Sequence, residues 1–422
     1  MKREHLGAII AQLIRCTVKP RHVCLEIEGA LAVGQTGLNF QRVSARLSGM
    51  LKTMKYRLKP TKTQAKQLGN QLEECRWLYN HFLASRRGAW QERQESLSYH
   101  AQATTLPALK QERPTLRQVH SQGLQNVAMR IDLAFKAFFR RCKAGAEPGY
   151  PRFRGRGRYD AITFPQYGNG CQLADGALKL SKIGSVRIIQ HRPLEGTPKT
   201  CTVRCASTGK WYATIACEVD ARPLPSTGEH IGIDVGLTRF ATLSTGEQTP
   251  CPQFLRTDEK DLKRTQRKLS AAEKGTRERA KRRKIVARVH ERIANRRTNF
   301  CHQESRKLVN RCDLIAVEDL SVHRMLRNHC LAKSIQDAAW SQFTAHLAYK
   351  AAEAGRQFMA VNPAYTSQDC SQCGHRQKLM LADRVFHCPC CGLTLDRDHN
   401  AAVNILRLGQ QSLGLVPGSL GL

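Results

Sequence analysis

The order of apolar and polar positions divides the chain into a helical part, a strand-rich part and a mixed part. Residues 55–59 alternate as a short strand does and Pro60 stops it. Thr61, with Gln64 three residues on, then forms a capping box for a helix. Ala65, Leu68, Leu72, Cys75, Leu78, Tyr79 and Phe82 recur at helical spacing behind it. A second helix is predicted over 115–142, where Val119, Leu124, Val127, Ile131, Leu133, Phe135, Phe138 and Phe139 supply a broad apolar face. From 161 to 219 the period drops to two in AITF, ALKL, SVRIIQ, TCTVRCA and KWYATIACEV, separated by Gly-Asn-Gly, Asp-Gly and Thr-Gly turn signals. An antiparallel β domain, closed as a barrel, is expected there, with residues 220–229 as its exit linker.

The remainder alternates strands and helices. HIGIDVGL (230–237) reads as a buried strand carrying Asp234, and FATLSTG follows as the second arm of a hairpin. One long basic helical stretch over 258–311 leads to DLIAVEDL, an apolar strand ending on Glu318. A helix over 337–355, a strand over 357–361, a cysteine-rich segment and a short helix over 401–406 complete the pattern. Residues 1–53 read as an appendage, with Met54 a candidate start, and GQQSLGLVPGSLGL (409–422) as a disordered tail.

Charge narrows the possible partners. Lys and Arg total 68 against 34 Asp and Glu among 422 residues, a formal charge of +34. Such a field attracts phosphate polymers. Between the helical and strand-rich parts, Gly149-Tyr-Pro-Arg-Phe-Arg-Gly-Arg-Gly-Arg sets arginines between aromatics. It is either a solvated linker or a loop in which guanidinium groups meet phosphates and Tyr150 or Phe153 stacks. No run of eighteen apolar residues and no leader pattern occurs, so no membrane partner is expected. Most of the 17 cysteines lie scattered without a pairing pattern, as in a reducing cytoplasm.

The exception is Cys370-x-x-Cys373 and Cys388-x-x-Cys391, two thiolate pairs separated by fourteen residues. Four soft sulfurs so spaced suit one Zn²⁺ in a zinc ribbon. Gly374 and Gly392 follow the second cysteine of each pair, where a knuckle turn needs positive φ. Cys390 is read as a spare thiol.

Three acids stand at the ends of core elements: Asp234 in the hairpin, Glu318 at a strand's end, and Asp398 near the start of the last helix. An acid in a strand core needs a cation or a partner. The order is that of the ribonuclease H-like fold, where three carboxylates converge on two Mg²⁺ or Mn²⁺ ions about 4 Å apart. One ion lowers the pKa of the attacking water and the other stabilises the leaving oxygen. Asp398 is preferred over Asp396, which is read as a neighbour orienting Arg397 or a metal-bound water. Singly, each acid is a weak signal, since either of the last two could simply cap the helix.

At IGIDVG, AVEDL, the ribbon and DRDHNAAVNIL, the chain resembles the TnpB family, transposon-encoded relatives of type V CRISPR effectors with a split RuvC nuclease domain. The resemblance runs from MKYRLKPTKTQ to the last helix. It implies catalytic, magnesium-binding acids at Asp234, Glu318 and Asp398 and zinc ligands at Cys370, Cys373, Cys388 and Cys391. The implied fold class is multidomain α/β: a RuvC-like domain over 226–365 and 395–408 with an inserted zinc ribbon over 366–394. A helical recognition domain (61–145) and a β-barrel wedge (54–60 with 146–225) are implied beside it. The implied activity is RNA-guided DNA endonuclease cleavage by a monomer, with guide RNA from the transposon end and a double-stranded DNA target as partners, in the cytoplasm at the nucleoid. A non-cleaving regulator of the same architecture and a strand-transferring transposase are the alternatives.

Overall fold

The structure is a computed structural model and describes residues 49–380 and 383–415. The expectations placed on residues 1–48 and 416–422 lie outside the described residues. The chain forms two compact units, one of Leu51–Glu218 and one running on from Val219.

In the first unit, β1 (Met50–Lys59) precedes α1 (Lys62–Arg93), which Thr61 and Gln64 start with a reciprocal capping box. The strand begins four residues before Met54, inside the stretch read as an appendage, and Met54 itself is fully buried. Two short helices, α2 (Tyr99–Ala103) and α3 (Leu106–Glu112), and a 3-10 turn at Pro114–Gln118 lead to α4 (Ser121–Lys143). Leu124, Val127, Ile131, Phe135 and Phe138 are its buried face, while Leu133 of the expected set is exposed.

Six strands follow: β2 (Ala161–Phe164), β3 (Cys171–Ala174), β4 (Ala177–Leu180), β5 (Gly184–Ile189), β6 (Thr197–Cys205) and β7 (Trp211–Val219). With β1 they form one sheet in the order β2-β6-β7-β1-β5-β4-β3. The sheet curls until the Cys171 thiol of β3 reaches Cys201 of β6. Among the described residues no strand pairing joins its two ends, so the sheet is nearly closed rather than a complete barrel.

The second unit is built on a five-stranded sheet. Its strands are β8 (His230–Val235), β9 (Arg239–Leu243), β10 (Gln248–Pro250), β11 (Leu314–Glu318) and β12 (Gln357–Val361), in the order β10-β9-β8-β11-β12. β8 pairs antiparallel with β9 and parallel with β11, which pairs parallel with β12. The basic stretch is two helices, α5 (Phe254–Ala271) and α6 (Arg277–Arg311), because Gly275 takes φ +90° and Thr276 caps a new start. After them come α7 (Val322–Met325), α8 (His329–Ala338) and α9 (Trp340–Glu353), the last two split by left-handed Ala339 within the expected single helix. The ribbon carries β13 (Val385–His387) and β14 (Thr394–Asp396), and α10 (Arg397–Ser412) closes the described chain. α10 runs from Arg397, four residues earlier than expected, and continues into the stretch read as a tail.

Strand alternation sorts the two faces of this sheet. Ile231, Ile233, Ile315 and Val317 join the main core with Phe240, Phe343, Leu347 and Val309. On the opposite face Ala316 and Val361 pack with Ile405 of α10. The supposed exit linker belongs to this unit: Arg222 and Leu224 donate their amides to the carbonyls of Glu353 and Ala354.

At one end of the sheet Asp313 fixes the strand register. Its carboxylate accepts the Thr227 and Gly228 amides and the Ser226 hydroxyl and pairs with the buried Arg356. Those bonds, the Ser226 hydroxyl foremost, hold its pKa well below the usual carboxylate range.

α10 lies unusually close to the sheet because two glycines permit it. A Cβ on Gly232 would stand 2.1 Å from the Ala402 carbonyl oxygen, and one on Gly409 would stand 2.6 Å from the Ala316 Cβ. The first obstacle is backbone, which cannot swing aside. Gly232→Ala is therefore expected to destabilise the second unit by about 2–3 kcal/mol. Gly69→Ala in α1, where nothing lies within 4 Å, should be neutral or stabilising by up to ~1 kcal/mol. Urea midpoints check both, and a Gly232→Ala variant as stable as its parent would disprove the close approach.

Candidate active site and metal centre

The register Ile233↔Val317 between β8 and β11, carried on by one residue, sets Asp234 beside Glu318 on adjacent parallel strands. Both face the side on which α10 packs, and Asp398 stands in the first turn of that helix. The three acids expected from the sequence thus meet at one seam. Asp234 registers the crowding most: burial, then the negative charges of Glu318 and Asp398, push its pKa up to about 8 despite nearby Arg397. Burial also raises Glu318, partly offset by the Thr366 hydroxyl, which donates to Glu318 Oε1 at 2.6 Å. Arg397 Nη2 lies 3.5 Å from Asp398 Oδ1. Burial and mutual repulsion make this seam an environment in which a hard cation would stabilise the charged carboxylates, while among the described residues the cysteine group alone gathers its ligand atoms within 4.8 Å of one another.

Asp396 takes the capping role that the sequence left open for either Asp396 or Asp398. Its side chain caps α10, accepting the backbone amides of Asp398 at 3.0 Å and His399 at 3.3 Å. It therefore fixes the helix start from which Asp398 projects.

The four cysteines assemble into a group able to hold a metal ion, with all sulfurs within 4.8 Å of one another. Sγ of Cys370 lies 3.6 Å from that of Cys391, and Cys373 and Cys388 are 3.5 Å apart. A tetrahedral site with bonds of about 2.3 Å has sulfur–sulfur edges of about 3.8 Å, so the geometry fits. Gly374 and Gly392 adopt φ of +78° and +76°, and each donates its amide to the carbonyl of the first cysteine in its pair. Cys390 lies outside the group and is exposed.

Sequence reading missed the residues joining these centres. Asn400 and Asn404, one turn apart on α10, are buried. Asn400 donates to the Asp369 carbonyl at 2.8 Å and accepts the Ser371 amide at 2.9 Å. Asn404 donates to the carbonyls of Thr366 and Asp369 at 2.9 and 2.7 Å. The chain segment entering the cysteine group is thereby bound to the helix carrying Asp398. Two asparagines at i and i+4 bracketing the apolar Ala401-Ala402-Val403 of the helix were the available signal. On the other flank, His399 Nε2 lies 3.2 Å from the Ser244 carbonyl.

The chain falls in a class of transposon-encoded proteins. A family model described as "Probable transposase" matches residues 214–329, one described as "Cas12f1-like, TNB domain" matches 340–405, and a "Helix-turn-helix domain" model matches 50–95. A Streptomyces pristinaespiralis protein named "Putative RNA-guided DNA endonuclease" is 37% identical over 85% of this chain and 89% of its own. The Escherichia coli K12 protein "Putative RNA-guided DNA endonuclease InsQ" is 32% identical over 86% and 93%. The chain belongs to the TnpB family. In fold it is similar to Cas12f1 in a complex with guide RNA and target DNA, with a TM-score of 0.52 and 14% identity over 85% of this chain and 98% of that one.

The raised pKa gives a signed pH dependence for the metal-free protein. Folded Asp234 binds its proton up to about pH 8, whereas the unfolded carboxyl releases it near 4. Its contribution to stability is complete below pH 4 and is lost as pH rises to about 8. In chelator, Asp234→Asn should therefore gain in thermal midpoint over its parent as pH goes from 5 to 8.5. A constant difference across that range would show that the carboxylates do not crowd.

Proposed function

We infer that the chain is a transposon-encoded RNA-guided DNA endonuclease that hydrolyses phosphodiester bonds at Asp234, Glu318 and Asp398. The observation carrying this reading is the joint crowding of those carboxylates at the seam of β8, β11 and α10. The names of relatives that match most of its length support the RNA-guided assignment. The hairpin β8–β9, the parallel strands β11 and β12 and the closing helix fit the ribonuclease H-like (RuvC) arrangement.

When bound, a pair of Mg²⁺ or Mn²⁺ ions supplies activation of water and neutralisation of charge on the leaving oxygen. The chain's own groups set the geometry. Thr366 orients Glu318, the Asp396 cap aims Asp398, and Arg397 stands beside Asp398. The cysteine group takes Zn²⁺ and acts structurally, anchoring α10 through Asn400 and Asn404.

Guide RNA and a DNA duplex are the partners. The helices of the first unit serve as a recognition lobe and its curled sheet as a wedge. The α5–α6 hairpin lies along nucleic acid: Asp258 and Asp261 pair internally with Arg292 and Arg296, while exposed Arg283, Lys284 and Arg288 have no ion partner among the described residues. Sequence is read by base pairing, so a cationic channel and one cleavage site suffice.

Asp234→Ala is expected to abolish Mg²⁺-dependent DNA cleavage and to leave RNA binding unchanged. Undiminished cleavage by that variant would remove the site. Elemental analysis should find about one zinc per chain in the parent and almost none in Cys373→Ser, with a lower thermal midpoint for the variant; a zinc-free parent would refute the ribbon.

A further inference from the structure

The arginine-rich loop between α4 and β2 is not a loose linker. Asn80 of α1 grips Arg154 twice, accepting its amide at 2.7 Å and donating to its carbonyl at 2.9 Å. Arg76 donates to the same carbonyl, and Glu73 accepts the amide of Gly157, whose φ of +69° makes the turn. The Arg154 guanidinium lies over the Tyr79 ring.

The two aromatics of this loop differ. Tyr150 meets Phe135 and Phe138 edge-on, at 5.6 and 5.4 Å between centroids, and so belongs to the helical core's margin. Phe153 makes no ring contact among the described residues and is 52% exposed. Arg152, Arg156 and Arg158 are exposed on either side of it. An ordered backbone thus presents one half-exposed aromatic ring between guanidinium groups, a combination that recognises a nucleobase flanked by phosphates.

We propose that Phe153 stacks on one unpaired base of the guide RNA, with Arg152, Arg156 and Arg158 holding the adjoining phosphates. RNA is favoured over a DNA duplex because a folded RNA offers unpaired, splayed bases in its loops and bulges, and a duplex does not. The proposal rests on the RNA-guided reading and adds a specific contact to it.

The RNA that co-purifies with the full chain is the probe, labelled and titrated into the parent, Phe153→Ala, Phe153→Trp and Arg156→Ala, alongside single-stranded DNA of the same sequence. Phe153→Ala should bind the RNA about tenfold more weakly. Phe153→Trp should stay within about twofold of the parent. Arg156→Ala should reduce the slope of log affinity against log salt by about 0.7. Because Phe153 is half exposed and makes no ring contact among the described residues, thermal midpoints of its variants should stay close to the parent's. Equal RNA affinity of Phe153→Ala and the parent would overturn the proposal. A loss confined to the DNA probe would overturn the assignment to RNA. If the parent itself retains no RNA, it is the RNA-guided reading that fails.

Discussion

The contact between the α10 backbone and the sheet at Gly232 and Gly409 sets the geometry of the second unit. With no side chain between them, helix and strands approach closely enough for Asp398 to share a seam with Asp234 and Glu318. A helix held off by ordinary side chains would stand several ångströms further from a strand. The mutual repulsion of the acids is then a property of the folded chain. It is tolerated because apolar packing on both faces of the sheet and the Asp313 clamp at its far end hold the strands in register.

Around this seam the cysteine group acts as a fastening. Ribbon and helix are joined by buried amide-to-backbone bonds from Asn400 and Asn404, so a metal that orders the knuckles also restrains the segment leading to Asp398. On the proposed function two metal chemistries are linked in one element: soft thiolates fix the position, and hard carboxylates do the reactive work. The thiolate centre needs no open coordination position for this role.

What the sequence made legible was local. The capping box at Thr61, the bounds of β12, the cysteine spacing with its two glycines, and acids placed at the ends of apolar runs all carry their signal within a few residues. What escaped depends on distant partners. β1 enters its sheet between β5 and β7, more than a hundred residues away. β10 is too short and too polar for a clear period. The helical stretch over 258–311 reads as continuous because Gly275 is a single residue against strong flanking propensity. Asp396 and Asp398 are both plausible at a helix start, and only the cap geometry assigns the first to the backbone and the second to the seam.

The most direct test is where a hard cation binds. Diffraction from crystals grown with Mn²⁺, collected at the manganese edge, should show anomalous density bounded by Asp234, Glu318 and Asp398. Manganese bound elsewhere, with those three side chains turned apart, would contradict the account.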